Sequence, residues 1–144
     1  MCIRDRNLPE ETRAAFDGDW FLTGDAVRQD DEGYIVHMGR QSVDIIKSGG
    51  YKISAREIEE ALLTHPAIDE VAVIGVEDAE WGEKIVAAVV PQWGTPEEVP
   101  WLDWCTDHLD GQLARYKHPR DVLVLSEIPR NALGKVQKHR IASS

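Results

Sequence analysis

The chain has 144 residues, of which 42% are apolar, enough for one domain or for one small domain and the tail of another. Its net charge of −10 argues against nucleic acid as a partner, because phosphate binding requires a basic face. The two cysteines, Cys2 and Cys105, are far apart and match no metal-binding spacing, which is typical of a reducing compartment. No apolar run approaches the ~20 residues of a membrane span and no secretory signal is visible, so we expect a soluble cytoplasmic protein.

The amino-terminal part reads as a short helix followed by a hairpin. Residues 1–6 have no capping or periodic pattern, and we treat them as junction sequence outside the fold. The segment PEETRAAF predicts a helix, because Pro9 suits the first turn and two glutamates follow at the positive end of the helix dipole. The turn DDEG then separates an aromatic-rich strand, WFLTGD, from a second strand, YIVHM. Asp25 follows a glycine at a strand end, which suits an exposed, well-held carboxylate, with a plain turn carboxylate as the alternative.

A second hairpin and a helix are predicted next. Two β-rich pieces, SVDIIK and YKIS, flank Ser48-Gly49-Gly50, which reads as a tight turn. Ser54 is followed three residues later by Glu57, the capping-box pattern that opens a helix over AREIEEALLTHP. Its apolar face is expected to carry Ile58, Leu62 and Leu63. Pro66 is expected to end it.

The remaining elements complete a small sheet. The segments DEVAVIGVE and KIVAAVVPQ are rich in β-branched residues and are predicted to pair at the centre of the sheet. The segment WLDWCTDHLDGQLARY predicts an amphipathic helix, weakened at Gly111 and ended by Lys117-His118-Pro119. Its apolar face is expected to carry Trp101, Trp104, Cys105 and Leu109. A further strand, DVLVL, precedes the loop IPRNALGK and a short terminal helix.

Together these elements predict an α+β fold in two unequal parts. Residues 39–144 form a small domain, with a short β-hairpin and a central small sheet flanked by helices. Residues 1–38 have little core of their own, because they hold only a short helix and a hairpin. We therefore expect them to be the last piece of a larger domain.

The loop IPRNALGK presents one positive charge near the end of the chain. Gly134 allows the backbone to approach a ligand closely, and Lys135 carries a compact charge on a flexible stem, so the pattern predicts a mobile loop that delivers an ammonium group. A solvated surface lysine is the alternative. Solvation is also the ordinary interpretation of the tail Lys138, His139 and Arg140, with phosphate binding as the other. The five histidines show no metal spacing, and no metal site is predicted from protein ligands.

Four motifs occur in a fixed order: WFLTGD, GYIVHMGR, SGGYKISAREIE and PRNALGK. In this order they resemble the carboxyl-terminal quarter of the adenylate-forming enzymes, which include acyl-CoA synthetases, aryl-CoA ligases, luciferases and peptide-synthetase adenylation domains. The resemblance implies that Asp25 accepts hydrogen bonds from both ribose hydroxyls of ATP or AMP, and that Arg40 lies near the ribose and phosphates. It implies that Lys135 reaches the α-phosphate and the substrate carboxylate. The pieces SVDIIKSGGYKIS and VAVIGV are most similar to the malonyl-CoA synthetase branch.

The resemblance also implies a second half-reaction, in which the small, mobile domain swings about a hinge. Gly49 and Gly50 would then let the pantetheine arm of CoA pass, and Lys52 would meet CoA phosphates. Many family members have a charged hinge residue two positions after the arginine, whereas this chain has Ser42 there and Val43 next. The spacing to the glycines is also one residue longer than in most members, so the hinge is either residue.

Membership in this family implies an AMP-forming acid–thiol ligase, of which this chain is a C-terminal fragment that is inactive alone. The implied reaction activates a carboxylic acid, malonate or methylmalonate among the candidates, and passes it to CoA. ATP, CoA and Mg²⁺ are the implied cofactors, with Mg²⁺ bound largely by an absent large domain, which is the implied partner. Two alternatives stay open: a free-standing module that binds a nucleotide, CoA or a protein without chemistry, and an adenylation domain that loads a carrier protein.

Overall fold

The computed structural model describes residues 8–41, 43–95 and 98–142. The predicted junction sequence, residues 1–6, lies outside these ranges. Helix α1 (Pro9–Ala14) follows the proline and glutamate pattern as predicted. Two small antiparallel hairpins come next, formed by β1 (Phe16–Asp17) with β2 (Trp20–Phe21) and by β3 (Asp25–Gln29) with β4 (Ile35–Arg40).

The aromatic segment forms a hairpin of its own. Strands β1 and β2 pair across Gly18, whose φ of +59° suits a tight turn. The prediction that WFLTGD is the first strand of the longer hairpin is wrong. Trp20 and Phe21 pair with β1 across the turn at Gly18, and the first strand of the longer hairpin is β3. The predicted turn DDEG is confirmed between β3 and β4. The Asp30 carboxylate closes it by accepting hydrogen bonds from the N–H groups of Glu32 and Tyr34, at 3.0 and 2.8 Å.

The second predicted hairpin and its helix are confirmed as β5 (Ile45–Ser48), β6 (Tyr51–Ser54) and α2 (Ala55–Leu62). The Ser54 hydroxyl caps α2 by accepting from the Glu57 N–H at 3.3 Å, and donates to the Met38 carbonyl at 2.7 Å. The helix ends at Leu62, before Pro66. Leu63, the C-cap, keeps helical dihedral angles but lies about 100° around the helix axis from Leu62 and is exposed, so its prediction as a core residue is wrong.

The main sheet has five strands, completed by β7 (Ile68–Asp78), β8 (Gly82–Pro91) and β9 (Asp121–Val124). Strand β8 is central, since it pairs antiparallel with β7 on one side and meets β5 and the parallel strand β9 on the other. Strand β7 pairs only with β8 among the described residues. The predicted pairing is confirmed, but the predicted central position holds for β8 and not for β7.

The later helices are shorter than their sequence patterns. Helix α3 (Trp101–Leu109) stops before Gly111, whose φ of +83° breaks the helical backbone, and a 3₁₀ turn (Arg115–Lys117) follows. The predicted continuation to Tyr116 is therefore wrong. The chain ends in the predicted short helix, α4 (Lys138–Ile141). No helix of the described ranges is long and apolar enough to cross a bilayer.

Strand β8 is buried on both faces, which explains its continuous apolar sequence. Its side chains alternate between two core clusters. One cluster packs the sheet against α2 and α3 and includes Ile58, Leu62, Val73, Ile85, Ala87, Val89, Trp101, Cys105 and Leu109. The other packs the opposite face against the end of the chain and includes Ile74, Val86, Ala88, Ile128 and Ile141. The predicted α+β domain, a small open sheet flanked by helices, is confirmed.

Candidate functional site

Strand pairing places an acid opposite a base at the open end of the β3–β4 hairpin. Asp25 and Arg40 are cross-strand partners, and Nε of Arg40 lies 3.3 Å from Oδ1 of Asp25. Nε2 of His37 lies 3.6 Å from the same oxygen. The Asp25 backbone N–H donates to the Thr23 hydroxyl at 3.2 Å. Two of the predicted nucleotide-binding residues are therefore in contact, on a carboxylate that is only partly exposed.

A groove of about 840 Å³ begins at this ion pair and extends to α1 and the aromatic hairpin. Its walls include Ala15, Phe21, Leu22, Thr23, Gly24, Asp25, Arg40 and Gln41. Its volume lies within the ~300–1,000 Å³ that small-molecule sites occupy. The arrangement combines an apolar wall with two acids, Glu11 and Asp25, and one base, Arg40, which suits a ligand with an apolar ring and hydroxyl groups.

A second cavity, of about 620 Å³, lies between the β3–β4 and β5–β6 hairpins and shares Asp25 with the groove. Lys47 and Lys52 line it and are directly opposite each other in the β5–β6 ladder. Like charges in this position repel each other unless an anion lies nearby. The predicted CoA-binding residue Lys52 is thus one of two lysines in a cavity whose lining also includes the Asp25 carboxylate.

The turn between β5 and β6 is the predicted pair of glycines. Gly49 and Gly50 have φ values of +56° and +83°, which suit a two-residue hairpin turn. The two glycines have different surroundings. A Cβ on Gly49 would lie 3.3 Å from the ring of Trp81, whose other contact is the Arg120 guanidinium, 3.6 Å from the ring centroid. A Cβ on Gly50 would meet no atom within 4 Å, so Gly50 is the open point of the turn.

The loop that carries Lys135 is a closed turn organised by Asn131. The Asn131 side-chain oxygen accepts hydrogen bonds from the N–H groups of Leu133 and Lys135, at 3.0 and 2.9 Å. The Asn131 N–H donates to the Lys135 carbonyl at 2.9 Å, and Gly134 has a φ of +78°. The loop backbone is therefore more ordered than its sequence predicts, and sequence reasoning missed Asn131 as its organiser.

Apolar and ionic contacts fix this loop to the sheet. Ile128 and Ile141, on either side of the loop, are buried in the second core cluster. Arg130 forms an ion pair with Glu70 of β7 and donates to the Gly134 carbonyl at 3.0 Å. Lys135 itself is exposed, and none of the ion pairs among the described residues involves its ammonium. A fixed backbone therefore presents a free positive charge.

The predicted site residues lie in two separate parts of the structure. Asp25, Arg40 and Lys52 line neighbouring cavities, whereas Lys135 lies on the loop that packs on the second face of the sheet. Of the two hinge candidates, Ser42 lies outside the described residues. Val43 is exposed, and its N–H donates to the Arg40 carbonyl at 3.3 Å.

Sequence reasoning missed a buried ion-pair cluster next to the hinge. The interpretation of Lys138 as a solvated tail residue is wrong, since its side chain is only 13% exposed and its ammonium lies 2.8 Å from both Asp44 and Glu59. Burial alone would raise the pKa of Asp44. Hydrogen bonds from Lys138 and from the Arg40 N–H, with the charges of Lys138 and Lys135, outweigh burial and lower that pKa. Lys138 and Asp44 are too far apart in sequence for a local pattern to reveal the pair.

One further ionisable group, the Cys105 thiol, has a structural role. Burial raises the pKa of the Cys105 thiol to about 11, so this cysteine stays protonated and is a core residue, not a nucleophile. Within residues 8–41, 43–95 and 98–142, no group of three histidine, cysteine, aspartate or glutamate side chains could hold a metal ion.

His65 makes folding stability depend on pH. Partial burial, and then the charge of His108, lower the pKa of His65 below 6.5. Its Nδ1 accepts a hydrogen bond from the Ala67 N–H at 3.1 Å, which requires the unprotonated nitrogen. As the pH falls, His65 therefore becomes protonated at a higher pH in the unfolded chain than in the folded chain. We expect the melting temperature to fall as the pH falls through 6.5 and below, and to fall less in His65→Asn, which keeps an acceptor but does not titrate. Equal slopes in both proteins would contradict this assignment.

Comparison with known proteins identifies the fold. Residues 57–135, more than half of the chain, match the family described as the AMP-binding enzyme C-terminal domain. The chain belongs to this family. The matched stretch of the C-terminal domain begins at Glu57 in α2 and ends at Lys135, so Asp25 and Arg40 lie before it. The sequence resemblance to adenylate-forming enzymes is thereby confirmed.

Relatives of this C-terminal domain are CoA ligases. The chain is 52% identical over 132 residues to the mitochondrial malonate–CoA ligase ACSF3 of Bos taurus. This alignment covers 90% of the chain and 22% of that relative. It is 41% identical over 152 residues to the malonate–CoA ligase of Arabidopsis thaliana, covering 96% of the chain and 24% of that relative. ATP-bound MatB from Rhodopseudomonas palustris has a TM-score of 0.81 at 36% identity, covering 94% of the chain and 26% of MatB. The chain thus spans about a quarter or less of the length of these proteins.

Proposed function

We propose that the chain is the C-terminal part of an AMP-forming acyl-CoA synthetase, which converts a carboxylic acid to acyl-AMP and passes the acyl group to CoA. The observation that carries the proposal is the Asp25–Arg40 pair at the mouth of a groove large enough for a nucleotide. Malonate is the first candidate acid, because the two curated relatives described above are named malonate–CoA ligases. Methylmalonate is the second.

In the adenylation half-reaction, the acid attacks the α-phosphorus of ATP and pyrophosphate leaves. Asp25 can accept hydrogen bonds from both ribose hydroxyls, since a carboxylate has two acceptor oxygens. Arg40 orients Asp25 and adds positive charge beside the phosphates. Lys135 brings its unpaired ammonium to the α-phosphate and the substrate carboxylate, where two anions are forced together. Each of these residues has the charge and the exposure that its role requires.

In the thioester half-reaction, the CoA thiol attacks the acyl-adenylate and AMP leaves. The open side of Gly50 gives the pantetheine arm a path along the backbone, with Gly49 completing the turn against Trp81. Lys52, with its opposite neighbour Lys47, supplies positive charge for the CoA phosphates. A rotation near Ser42 and Val43 would exchange this turn for the Lys135 loop at one reaction centre.

The first two hairpins support the proposed large domain as a partner. Large apolar side chains are exposed here: Leu8, Phe16, Trp20, Phe21, Leu22, Val27, Tyr34 and Ile35. A group of exposed large apolar side chains of this kind is typical of an interface. The main sheet, by contrast, buries most of its apolar side chains in its own core, although Tyr51 and Val124 are exposed. We therefore propose that residues 1–38 belong to the large domain and residues 39–144 to the small mobile domain.

Mg²⁺ is proposed to arrive with the ATP phosphates and to be bound by the large domain, where it would neutralise phosphate charge. The residues described here do not fit a metal site of their own, because they contain no suitable cluster of ligands. A cytoplasmic location stays a prediction. The Bos taurus relative is named as mitochondrial, so a fluorescent fusion of the natural protein is the direct measurement.

A fused enzyme tests whether the chain works as a C-terminal domain. In it, the chain replaces the matching segment of Rhodopseudomonas palustris MatB. We expect malonate-dependent release of AMP and formation of malonyl-CoA by the fused enzyme, and neither by the MatB large domain alone, because that domain lacks the ammonium of Lys135. A soluble, folded fused enzyme that binds ATP and CoA without turnover would support a binding module instead.

The natural full-length protein tests the acid. We expect AMP release with malonate or methylmalonate to exceed release with acetate, octanoate and benzoate in a panel assayed at equal concentration. Selectivity for a different acid would overturn the malonate assignment and leave the adenylation chemistry intact. Turnover only with a pantetheinylated carrier protein, and none with free CoA, would support the carrier-loading alternative.

A further inference from the structure

Asp44 connects the hairpin β3–β4 to the main domain, and both oxygens of its carboxylate are in use. Oδ2 accepts a hydrogen bond from the Arg40 N–H at 2.9 Å, and Oδ1 accepts one from the Lys138 ammonium at 2.8 Å. The backbone carbonyl of Asp44 accepts a third, from the Ala55 N–H at 2.7 Å. One residue therefore joins β4, the start of α2 and α4.

The Lys138 ammonium lies between two acids in a largely buried position. It is 2.8 Å from Asp44 and 2.8 Å from Glu59, and all three side chains are less than a quarter exposed. Glu59 is held in turn by the Val73 N–H, which donates to it at 2.7 Å. A buried ammonium needs such partners, since an unpaired buried charge is strongly unfavourable. The cluster is therefore a built contact and not a chance surface pair.

The contacts of Asp44 close a turn over the candidate hinge. The N–H groups of Val43 and Asp44 both donate to the Arg40 carbonyl, at 3.3 and 2.8 Å, beside the bond from the Arg40 N–H to the Asp44 carboxylate. A Cβ added to Gly39 would lie 2.5 Å from the Cβ of Asp44, so the side chain packs directly on the glycine backbone. A rotation between Arg40 and Asp44 has to break this set of contacts.

We propose that Asp44, through its ion pair with Lys138, is a positioning residue that holds the Lys135 loop against the hinge turn and so favours the adenylation half-reaction. The inference rests on the function proposed above. Lys138 opens the helix that follows the Lys135 loop, so its ion pair couples the hinge turn to the reactive ammonium. The Asp25–Arg40 pair lies on the other side of the same turn. Without the ion pair, Asp44 no longer ties the Lys135 loop to β4, which misplaces Lys135 for adenylation, whereas thioester formation requires this loop to withdraw.

The test measures both half-reactions in the fused enzyme. Asp44→Asn keeps the size of the side chain and an oxygen for the Arg40 N–H, but removes the charge that holds Lys138. We expect carboxylate-dependent ATP–pyrophosphate exchange to fall about tenfold, the effect of losing a charge-assisted contact that positions a reactive group. Thioester formation from supplied acyl-adenylate should stay within about twofold of the unmodified fused enzyme.

Glu59→Gln is the matched control. It removes the other carboxylate from Lys138 and keeps an oxygen for the Val73 N–H, but it does not touch the hinge turn. We expect its melting temperature to fall as in Asp44→Asn, while the ratio of the two half-reactions stays unchanged. The proposal is overturned if Asp44→Asn leaves the ratio unchanged, or if Glu59→Gln shifts the ratio by the same factor.

Hydrogen exchange in the 144-residue chain separates this inference from the proposed function. We expect the Arg40 amide to exchange about tenfold faster in Asp44→Asn and at the unmodified rate in Glu59→Gln, since exchange reports local opening. Inactivity of every fused enzyme would count against the proposed function, and the exchange result would still decide whether Asp44 holds the turn. Unchanged exchange at Arg40 would overturn that role.

Discussion

Lys135→Ala in the fused enzyme is expected to abolish carboxylate-dependent ATP–pyrophosphate exchange and to spare thioester formation from supplied acyl-adenylate. The reason is that the two anions brought together in adenylation lose the one mobile positive charge that the loop presents. Removing a positioned stabilising group of this kind lowers the rate on the order of 10²–10³-fold. The loop backbone should keep its shape, because Asn131 and Gly134 hold it and the Lys135 side chain has no ion pair among the described residues.

Arg56→Ala is the control for a lost positive charge. Arg56 lies on the exposed side of α2, and its one ion pair among the described residues is with Glu60, at 2.9 Å, so both half-reactions should continue at the unmodified rate. Lys135→Arg adds a second comparison, because it keeps the charge but replaces a compact ammonium by a wide planar group. Equal loss of both half-reactions in Lys135→Ala would remove this residue from the adenylation step.

Local patterns predicted the elements whose causes lie within a few residues. The Ser54 cap, the Gly49–Gly50 turn and the Pro9 helix start are each decided by backbone geometry over one turn of chain, and each is confirmed. Helix lengths were less predictable. The apolar pattern continues at Leu63 and after Leu109, but α2 ends with Leu63 as its exposed C-cap and α3 ends before Gly111.

The missed features of the candidate site are contacts between distant segments. Sequence motifs identified Asp25, Arg40 and Lys135 as candidate site residues. The structure shows that Asp25 and Arg40 are in contact. The Lys138–Asp44 pair spans 94 positions and the Arg130–Glu70 pair spans 60, so neither has a local signal. Asn131 did have one, because an asparagine before a glycine-containing loop commonly closes a turn with its own side chain.

The two candidate active-site segments of the domain, the Gly49–Gly50 turn and the Lys135 loop, are short turns fixed on one sheet. The glycine turn extends from β5 and β6 and contacts Trp81, at the start of β8. The Lys135 loop is fixed by Ile128, Ile141 and the contact of Arg130 with β7. Because the sheet between them is packed on both faces, the two turns would move together in the proposed rotation. The proposed hinge motion would therefore withdraw one turn as it presents the other.

Replacing Gly50 by leucine is expected to slow thioester formation on the order of 10²-fold, while ATP–pyrophosphate exchange falls only slightly. The added side chain meets no protein atom within 4 Å of its Cβ, so it projects into the open space where the pantetheine arm is proposed to pass. The KM for CoA should rise, and the KM for ATP should stay unchanged. Rates of both half-reactions, measured separately in the fused enzyme, give the comparison.

Gly111→Leu is the control that separates the effect of a blocked pantetheine path from the effect of backbone strain. Gly111 also has a φ of +83° and no atom within 4 Å of an added Cβ, but it lies after α3, away from the proposed site. Leucine is strained equally at the two positions, so both variants should lose similar thermal stability. Only the Gly50 variant should lose thioester formation. Equal CoA kinetics in the two variants would mean that strain, and not a blocked pantetheine path, explains the effect.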